Sequence, residues 1–246
     1  MKGLGTLINL ATVAAGGTLG VAAGHRVPER VRRTVMQGLG LVTIAVAVVG
    51  FEPLADPNEG LKRAVIAIVS VIAGGTLGEL LRLEQRLEAA GERLRERLSV
   101  RDERGPGDPE GSSFVEGFVV ASTVFCVGPL TVLGAVEDGL GLSIRLLAIK
   151  STLDGFAAIG FASVYGWGVL GSLITIAVLQ GGVTAAAVLV EPLLTGEVLA
   201  QLGAIGSLLV LGIGLRLLEV VRVNVVNLLP ALVLGMIAAG VFERAV

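Results

Sequence analysis

Apolar residues in this chain run in blocks of about twenty, separated by short clusters of charge, glycine and proline, and no block keeps the alternation of a strand. Taking about 20 apolar residues as one crossing of a hydrocarbon core, eight blocks emerge: 3–23, 35–51, 62–83, 114–135, 145–165, 168–190, 197–217 and 223–243. Each far exceeds the ten or so residues of a barrel strand. Lipid cannot satisfy open backbone groups, so the pattern predicts an all-α polytopic membrane bundle of about eight transmembrane helices. The fifth and sixth blocks are divided only by Tyr165-Gly166-Trp167-Gly168, whose glycines permit a tight turn and whose aromatics suit a membrane interface.

Composition agrees. Of 246 residues, 53% are hydrophobic and 16% charged, against about 25% charged in an ordinary soluble domain. A net charge of −2 provides no basic field for nucleic acid. One cysteine and one histidine leave little scope for a disulfide framework, a His/Cys zinc site or a Ser-His-Asp triad, and nothing in the chain calls for a cofactor.

Basic residues set the expected orientation. Arg26, Arg30, Arg32 and Arg33, then Arg82, Arg86, Arg93, Arg95, Arg97, Arg101 and Arg104, then Arg216 and Arg222 fall in loops that share one face of an eight-span bundle. They are thirteen of the nineteen basic residues, so the positive-inside rule places these loops in the cytoplasm and both termini outside. Residues 1–23 superficially resemble a secretory signal. The run is long for one, contains Asn9, Thr12 and Thr18, and precedes a basic loop that resists export, so a retained helix is expected.

The chain is read as one membrane domain in four parts: 1–83, 84–113, 114–166 and 167–246. In 84–113, Leu87, Leu94 and Leu98 continue the stripe of Leu80 and Leu83, which predicts that the third membrane helix extends into the cytoplasm; Arg101 to Pro109 then has linker composition. A coiled coil pairing two protomers is the sharper reading, although Gly91 and Arg97 interrupt the seam. A shift of 165 residues lays Gly16-Gly17 on Gly181-Gly182, Gly38 on Gly203, and Ile72-Ala73 with Gly75 on Ile237-Ala238 with Gly240. Helices 1–3 would thus correspond to helices 6–8 with opposite direction, an inverted repeat of the kind found in secondary transporters, though a chain this rich in small residues also yields such matches by chance.

Polar residues inside the spans carry the candidate chemistry. In the fourth span, Gly128-Pro129 lies well within the apolar run, and proline removes the donor that the Phe125 carbonyl would otherwise receive, leaving an acceptor for a neighbour, a water or a cation. Ser122, Cys126 and Pro129 share a face, with Thr123 beside it. A packing kink with back-bonded hydroxyls and a broken helix lining a pathway are the two readings. In the fifth span, Lys150 and Asp154 place opposite charges four residues apart, with Ser151 between them. A charge at that depth costs about 2.5–3.5 kcal/mol on insertion scales, so such groups face protein or water. They form either a self-satisfied structural pair or an ion, proton or substrate contact, and Asp154 is the leading functional candidate.

Gln180 beside Gly181-Gly182 and Asn227 before Pro230 join the candidate pathway; Asn9, Thr12, Gln37, Thr43 and Asn224 read as packing groups, and Glu116, Glu137 and Asp138 as solvated carboxylates near span ends. Gly16-x-x-x-Gly20-x-x-x-Gly24 and Gly74-x-x-x-Gly78 allow close crossings, either in the core or at a homodimer seam.

Residues 124–140, Lys150-Ser151-Thr152-Leu153-Asp154-Gly155, Gln180-Gly181-Gly182, Asn227-Leu228-Leu229-Pro230-Ala231 and Met36-Gln37-Gly38-Leu39-Gly40-Leu41-Val42-Thr43 resemble the YdfK/YqgA-type family of bacterial membrane proteins, domain of unknown function 554. The resemblance covers nearly the whole chain. It implies a multi-spanning protein of the bacterial inner membrane without an assigned activity, and transfers no site residues.

The leading functional expectation is a small secondary transporter or channel-like protein for a small ion or polar solute, its pathway lined by the fourth and fifth spans. The alternative is a membrane scaffold without transport. An enzyme is not expected: Asp154-Gly155-x-x-Ala158 matches the opening of the lipid-head-group transferase signature, but Ile159 stands where arginine is needed and the later aspartates are missing.

Overall fold

The computed structural model describes residues 2–24, 28–98, 113–127, 129–221 and 223–245, and every regular element among them is helical. In chain order these are α1 (Leu4–Gly24), α2 (Glu29–Val49), α3 (Gly60–Leu80), α4 (Leu83–Leu98), α5 (Ser113–Cys126), α6 (Pro129–Leu140), α7 (Arg145–Tyr165), α8 (Gly168–Ala185), α9 (Ala187–Val190), α10 (Gly196–Leu217), α11 (Val225–Leu228) and α12 (Pro230–Ala245). Among the described residues seven segments are long and apolar enough to cross a bilayer, and there are eight if α5 and α6, bent by 64° at their break, are counted as one span. The apolar blocks of the sequence are therefore present as helices. Large aliphatic side chains such as Leu41, Val49, Leu61, Ile72 and Val178 point outward, as a lipid-facing surface requires.

Glycine sets the distances between helices. A methyl group on Gly16 would sit 2.2 Å from the Gly155 carbonyl oxygen, one on Gly20 2.4 Å from that of Ile159, and one on Gly24 2.8 Å from that of Ser163. The three-glycine spacing is thus used inside the chain, where α1 and α7 run parallel in van der Waals contact. Likewise Gly74 meets Ala231 and Gly78 meets the Asn227 carbonyl, so α3 packs antiparallel on α12. Both motifs build the core of one chain, one of the two readings their spacing left open. By contrast, Gly181 and Gly182 have no neighbour within 4 Å of an added Cβ, so these two glycines make no close helix crossing.

The remaining helices complete the bundle. Helix α8 follows α5 and α6 in parallel, with Gly168 against the Phe114 carbonyl and Gly139 against that of Thr184, and it crosses α1 antiparallel. Helix α10, with Leu202, Ile205 and Leu209 fully buried, sits among α2, α3 and α12. Arg63 of α3 clamps Glu197 of α10 through Nε and Nη2, the latter at 2.7 Å.

One element departs from expectation. The third membrane helix does not continue into the cytoplasm: Arg82 at φ 52° breaks the path after Leu80, and α4 begins afresh at Leu83. The turn lays Leu83, Leu87 and Leu94 onto the cluster of Phe118, Val119 and Val226, burying apolar surface that a straight extension would leave in water. Gly91, the supposed interruption of a coiled coil, is where the Phe118 ring fits, since a Cβ there would lie 2.8 Å from it. The linker expected at 101–109 and Gly128 lie outside the described residues.

Gly20→Ala is expected to destabilise the protein by about 1–3 kcal/mol through overpacking, whereas Gly38→Ala, with no neighbour within 4 Å, leaves stability unchanged or slightly raised. Thermal unfolding of both variants in one detergent checks the contrast.

Candidate functional site

The break between α5 and α6 follows from covalent chemistry. Pro129 opens α6 and has no N–H to give the carbonyl four residues earlier, and Val127 N turns to the Thr123 carbonyl at 3.0 Å. The Phe125 carbonyl is therefore free for another donor. Lys150 of α7 supplies it, its Nζ donating to the Phe125 oxygen at 2.7 Å while pairing with the Asp154 carboxylate. Lys150 and Asp154 are only 5% and 7% exposed. The two sequence motifs are thus one site, with Cys126 half-buried beside the pair.

A chain of buried polar groups leads to it from the start of α1. The Asp138 carboxylate accepts from the backbone N–H groups of Gly5 and Thr6, both at 3.0 Å. These are donors that a helix N-terminus leaves unpaired, and the helix dipole favours an anion there. Thr6 Oγ1 meets Thr184 Oγ1 at 2.9 Å and accepts from Gln180 Nε2 at 3.3 Å. Gln180 Oε1 accepts from Asn9 Nδ2 at 2.9 Å, which brings the chain to the face of α1 that packs on α7 near Asp154. Asp138, Asn9 and Gln180 are fully buried. The reading of Asp138 as a solvated carboxylate is therefore corrected, because α1 folds over it and donates two hydrogen bonds.

The other candidates divide. Ser151 is fully buried but its hydroxyl bonds back to the Leu147 carbonyl at 2.5 Å, and Thr123 does the same to Val119 at 2.7 Å. Ser122 meets Thr175 of α8 at 2.9 Å. Of Pro129 only its place at the head of α6 enters, and Gly128 is outside the described residues. Asn227 is not with Lys150 and Asp154. It belongs to a second cluster where α4 docks, accepting from Glu84 N at 2.9 Å and donating to Glu79 at 2.6 Å, with Arg216 on Glu84 at 3.0 Å.

Thr6, Thr184 and Glu84 escaped the sequence reading. Only periodicity hinted at the first region, since Thr131, Gly134 and Asp138 form one stripe of α6.

The sequence profile described as a protein of unknown function, DUF554, matches residues 4–239. The chain belongs to the DUF554 family. Among its relatives, the uncharacterized protein YqgA of Escherichia coli (strain K12) is 30% identical over 95% of this chain and 94% of its own length. The uncharacterized membrane protein YdfK of Bacillus subtilis (strain 168) is 26% identical over 94% of this chain and 93% of its own. No solved structure matches. The family membership and the apolar helices together make this a multi-pass membrane protein.

Two predictions test the energetics. Lys150→Met leaves a buried carboxylate unpaired and should cost about 3–5 kcal/mol, while Lys150→Met with Asp154→Leu recovers most of that loss; unfolding of singles and double in detergent gives the coupling. At the α4 junction, burial pushes the Glu84 carboxyl above its ordinary range despite Arg216. The folded state then holds that proton more tightly than the unfolded one, so this contribution is most favourable at or below the ordinary carboxyl range and declines as pH rises through the raised value. The melting temperature of the wild type relative to Glu84→Gln should accordingly fall between pH 4 and 8, and a pH-independent difference would refute the assignment.

Proposed function

We propose that this protein is a small membrane transporter whose substrate-controlling site is the Lys150–Asp154 pair at the α5/α6 break, in an occluded state. The observation that carries the reading is the buried polar chain from Asp138 through Thr6, Gln180 and Asn9 to the face of α7 that holds Asp154, Lys150 and its bond to the Phe125 carbonyl. A scaffold has no need of so long a polar track in a membrane interior, where unsatisfied groups are costly. Irregular backbone at membrane depth is tolerated where protein or a water-filled path surrounds it, and a broken helix presenting a carbonyl is a recurrent way of holding a solute.

Three further features support the reading. The pairs α1/α8, α2/α10 and α3/α12 each cross antiparallel, as partners in an inverted repeat would. The parallel pair α1/α7 has a counterpart in α8 beside α5 and α6. The arginine-rich stretches of the sequence follow α1, α3 and α10, and under the positive-inside rule we read that side as the cytoplasmic face of the inner membrane, with both termini outside.

Purified protein in vesicles tests this. Under imposed proton, Na⁺ or K⁺ gradients read by an internal pH dye, and under small-solute gradients read by light scattering, wild type should dissipate at least one gradient faster than empty vesicles. Asp154→Asn and Lys150→Ala should abolish the difference. Flux unchanged by both substitutions would remove these residues from the pathway; wild-type vesicles indistinguishable from empty ones under every gradient would overturn transport.

A further inference from the structure

Four buried side-chain oxygens among the described residues have no hydrogen-bond partner, and two of them, Asn9 Oδ1 and Thr131 Oγ1, are on α1 and α6, the helices that pack on α7. Such orphans are uncommon in native interiors and call for a physical reason. Asn9 is fully buried and Thr131 is 4% exposed, so solvent does not satisfy them.

Both lie at the level of the ion pair. On α1, Asn9 shares a stripe with Gly5, which abuts Leu147, and with Gly16, which abuts Gly155, so it stands opposite the turn containing Ser151 and Asp154. On α6, Thr131 shares a stripe with Gly134, which abuts Leu147, and with Asp138, which binds the start of α1. Because α6 and α7 run antiparallel, moving one turn back from Gly134 brings Thr131 level with Lys150. Thr131 also lacks the usual escape of a helical hydroxyl. Thr43, Thr123 and Thr152 bond back to the carbonyl four residues earlier, but Thr131 follows the helix break.

The oxygens that this register brings to one level are the Phe125 carbonyl, the Asp154 carboxylate, Asn9 Oδ1 and Thr131 Oγ1. All are hard donors, with a single negative charge among them. This set suits a small monovalent cation; a divalent ion would ordinarily draw more carboxylate. The ammonium group of Lys150 already sits on two of the four, as a tethered cation of the same charge.

We propose that these four oxygens form a binding site for a dehydrated alkali cation, Na⁺ in the first instance, which displaces the Lys150 ammonium from Asp154 and the Phe125 carbonyl. The inference rests on the transport reading for its biological sense, but not for its test.

The test is binding, in detergent, without flux. Wild-type protein should gain thermal stability saturably with NaCl relative to choline chloride at equal ionic strength, as mass action requires of a ligand held by the folded state. Removing the competitor should strengthen binding: Lys150→Met is expected to lower the half-saturating Na⁺ concentration by at least about tenfold and to be rescued by the salt. Lys150→Met with Asp154→Leu should not respond. Thr131→Val, close in shape and remote from the ion pair's own bonding, should fold normally and raise the half-saturating concentration several-fold. A saturable response to KCl alone would replace Na⁺ by K⁺ and overturn the choice of ion. Absence of any alkali-specific response in wild type and Lys150→Met overturns the site. Na⁺-dependent stability in a protein that moves nothing across vesicles would uphold the site and reject transport, whereas flux without cation-dependent stability would do the reverse.

Discussion

A carbonyl that loses its helical donor inside a bilayer must be satisfied from elsewhere, and here the donor is a lysine. Pro129 creates the deficit at Phe125, Lys150 fills it, and Asp154 neutralises the charge that Lys150 brings. None of the three is tolerable alone: an orphan carbonyl, a lone ammonium and a lone carboxylate each carry a desolvation penalty of several kcal/mol. Together they cancel most of it. The helix break and the intramembrane charges are therefore one feature, and removing any member changes the meaning of the other two.

That arrangement constrains the backbone around it. Asn9 has a short side chain, so it comes near Asp154 only if α1 lies directly on α7, and the contacts of Gly16, Gly20 and Gly24 with α7 carbonyls allow that approach. Lipid provides no hydrophobic force to press helices together. The association has to come from packing at glycine and from hydrogen bonds such as those of Asp138 to Gly5 and Thr6. Small residues and polar residues on α1 thus divide the labour, the first setting the distance and the second fixing the register.

How much of this was legible in the chain follows from which effects are local. Span positions depend on runs of apolar residues, and they were readable within a few residues. The free carbonyl at Phe125 was readable too, because proline's effect four residues back is covalent geometry. Its partner was not, since nothing in the order of residues says that Lys150 comes level with Phe125. Asp138 looked like a carboxylate at a span end, and only tertiary packing turned it into the cap of another helix. The course of α4 was missed because a leucine stripe tells which face is buried and leaves open where the axis turns; Arg82 at φ 52° decided that. In each miss the determining partner lies far away in sequence or in a backbone angle that carries no residue signature.

The same energetics limit how the site can change. Withdrawing Lys150 without replacement would strand a carboxylate and a carbonyl in an interior that, at Asn9 and Thr131, already holds more acceptors than donors. Withdrawing Asp154 would strand the ammonium. A local rearrangement must therefore bring in a substitute of the same charge or open a route for water, and the 64° junction between α5 and α6 is the place where backbone can move without breaking a continuous helical ladder. If a cation exchanges for the Lys150 ammonium as proposed, motion at the break and that exchange are coupled: the carbonyl released by the break is one of the proposed ligands, so displacing α5 relative to α6 would alter the site, and a change of occupant would shift the balance between positions of α5.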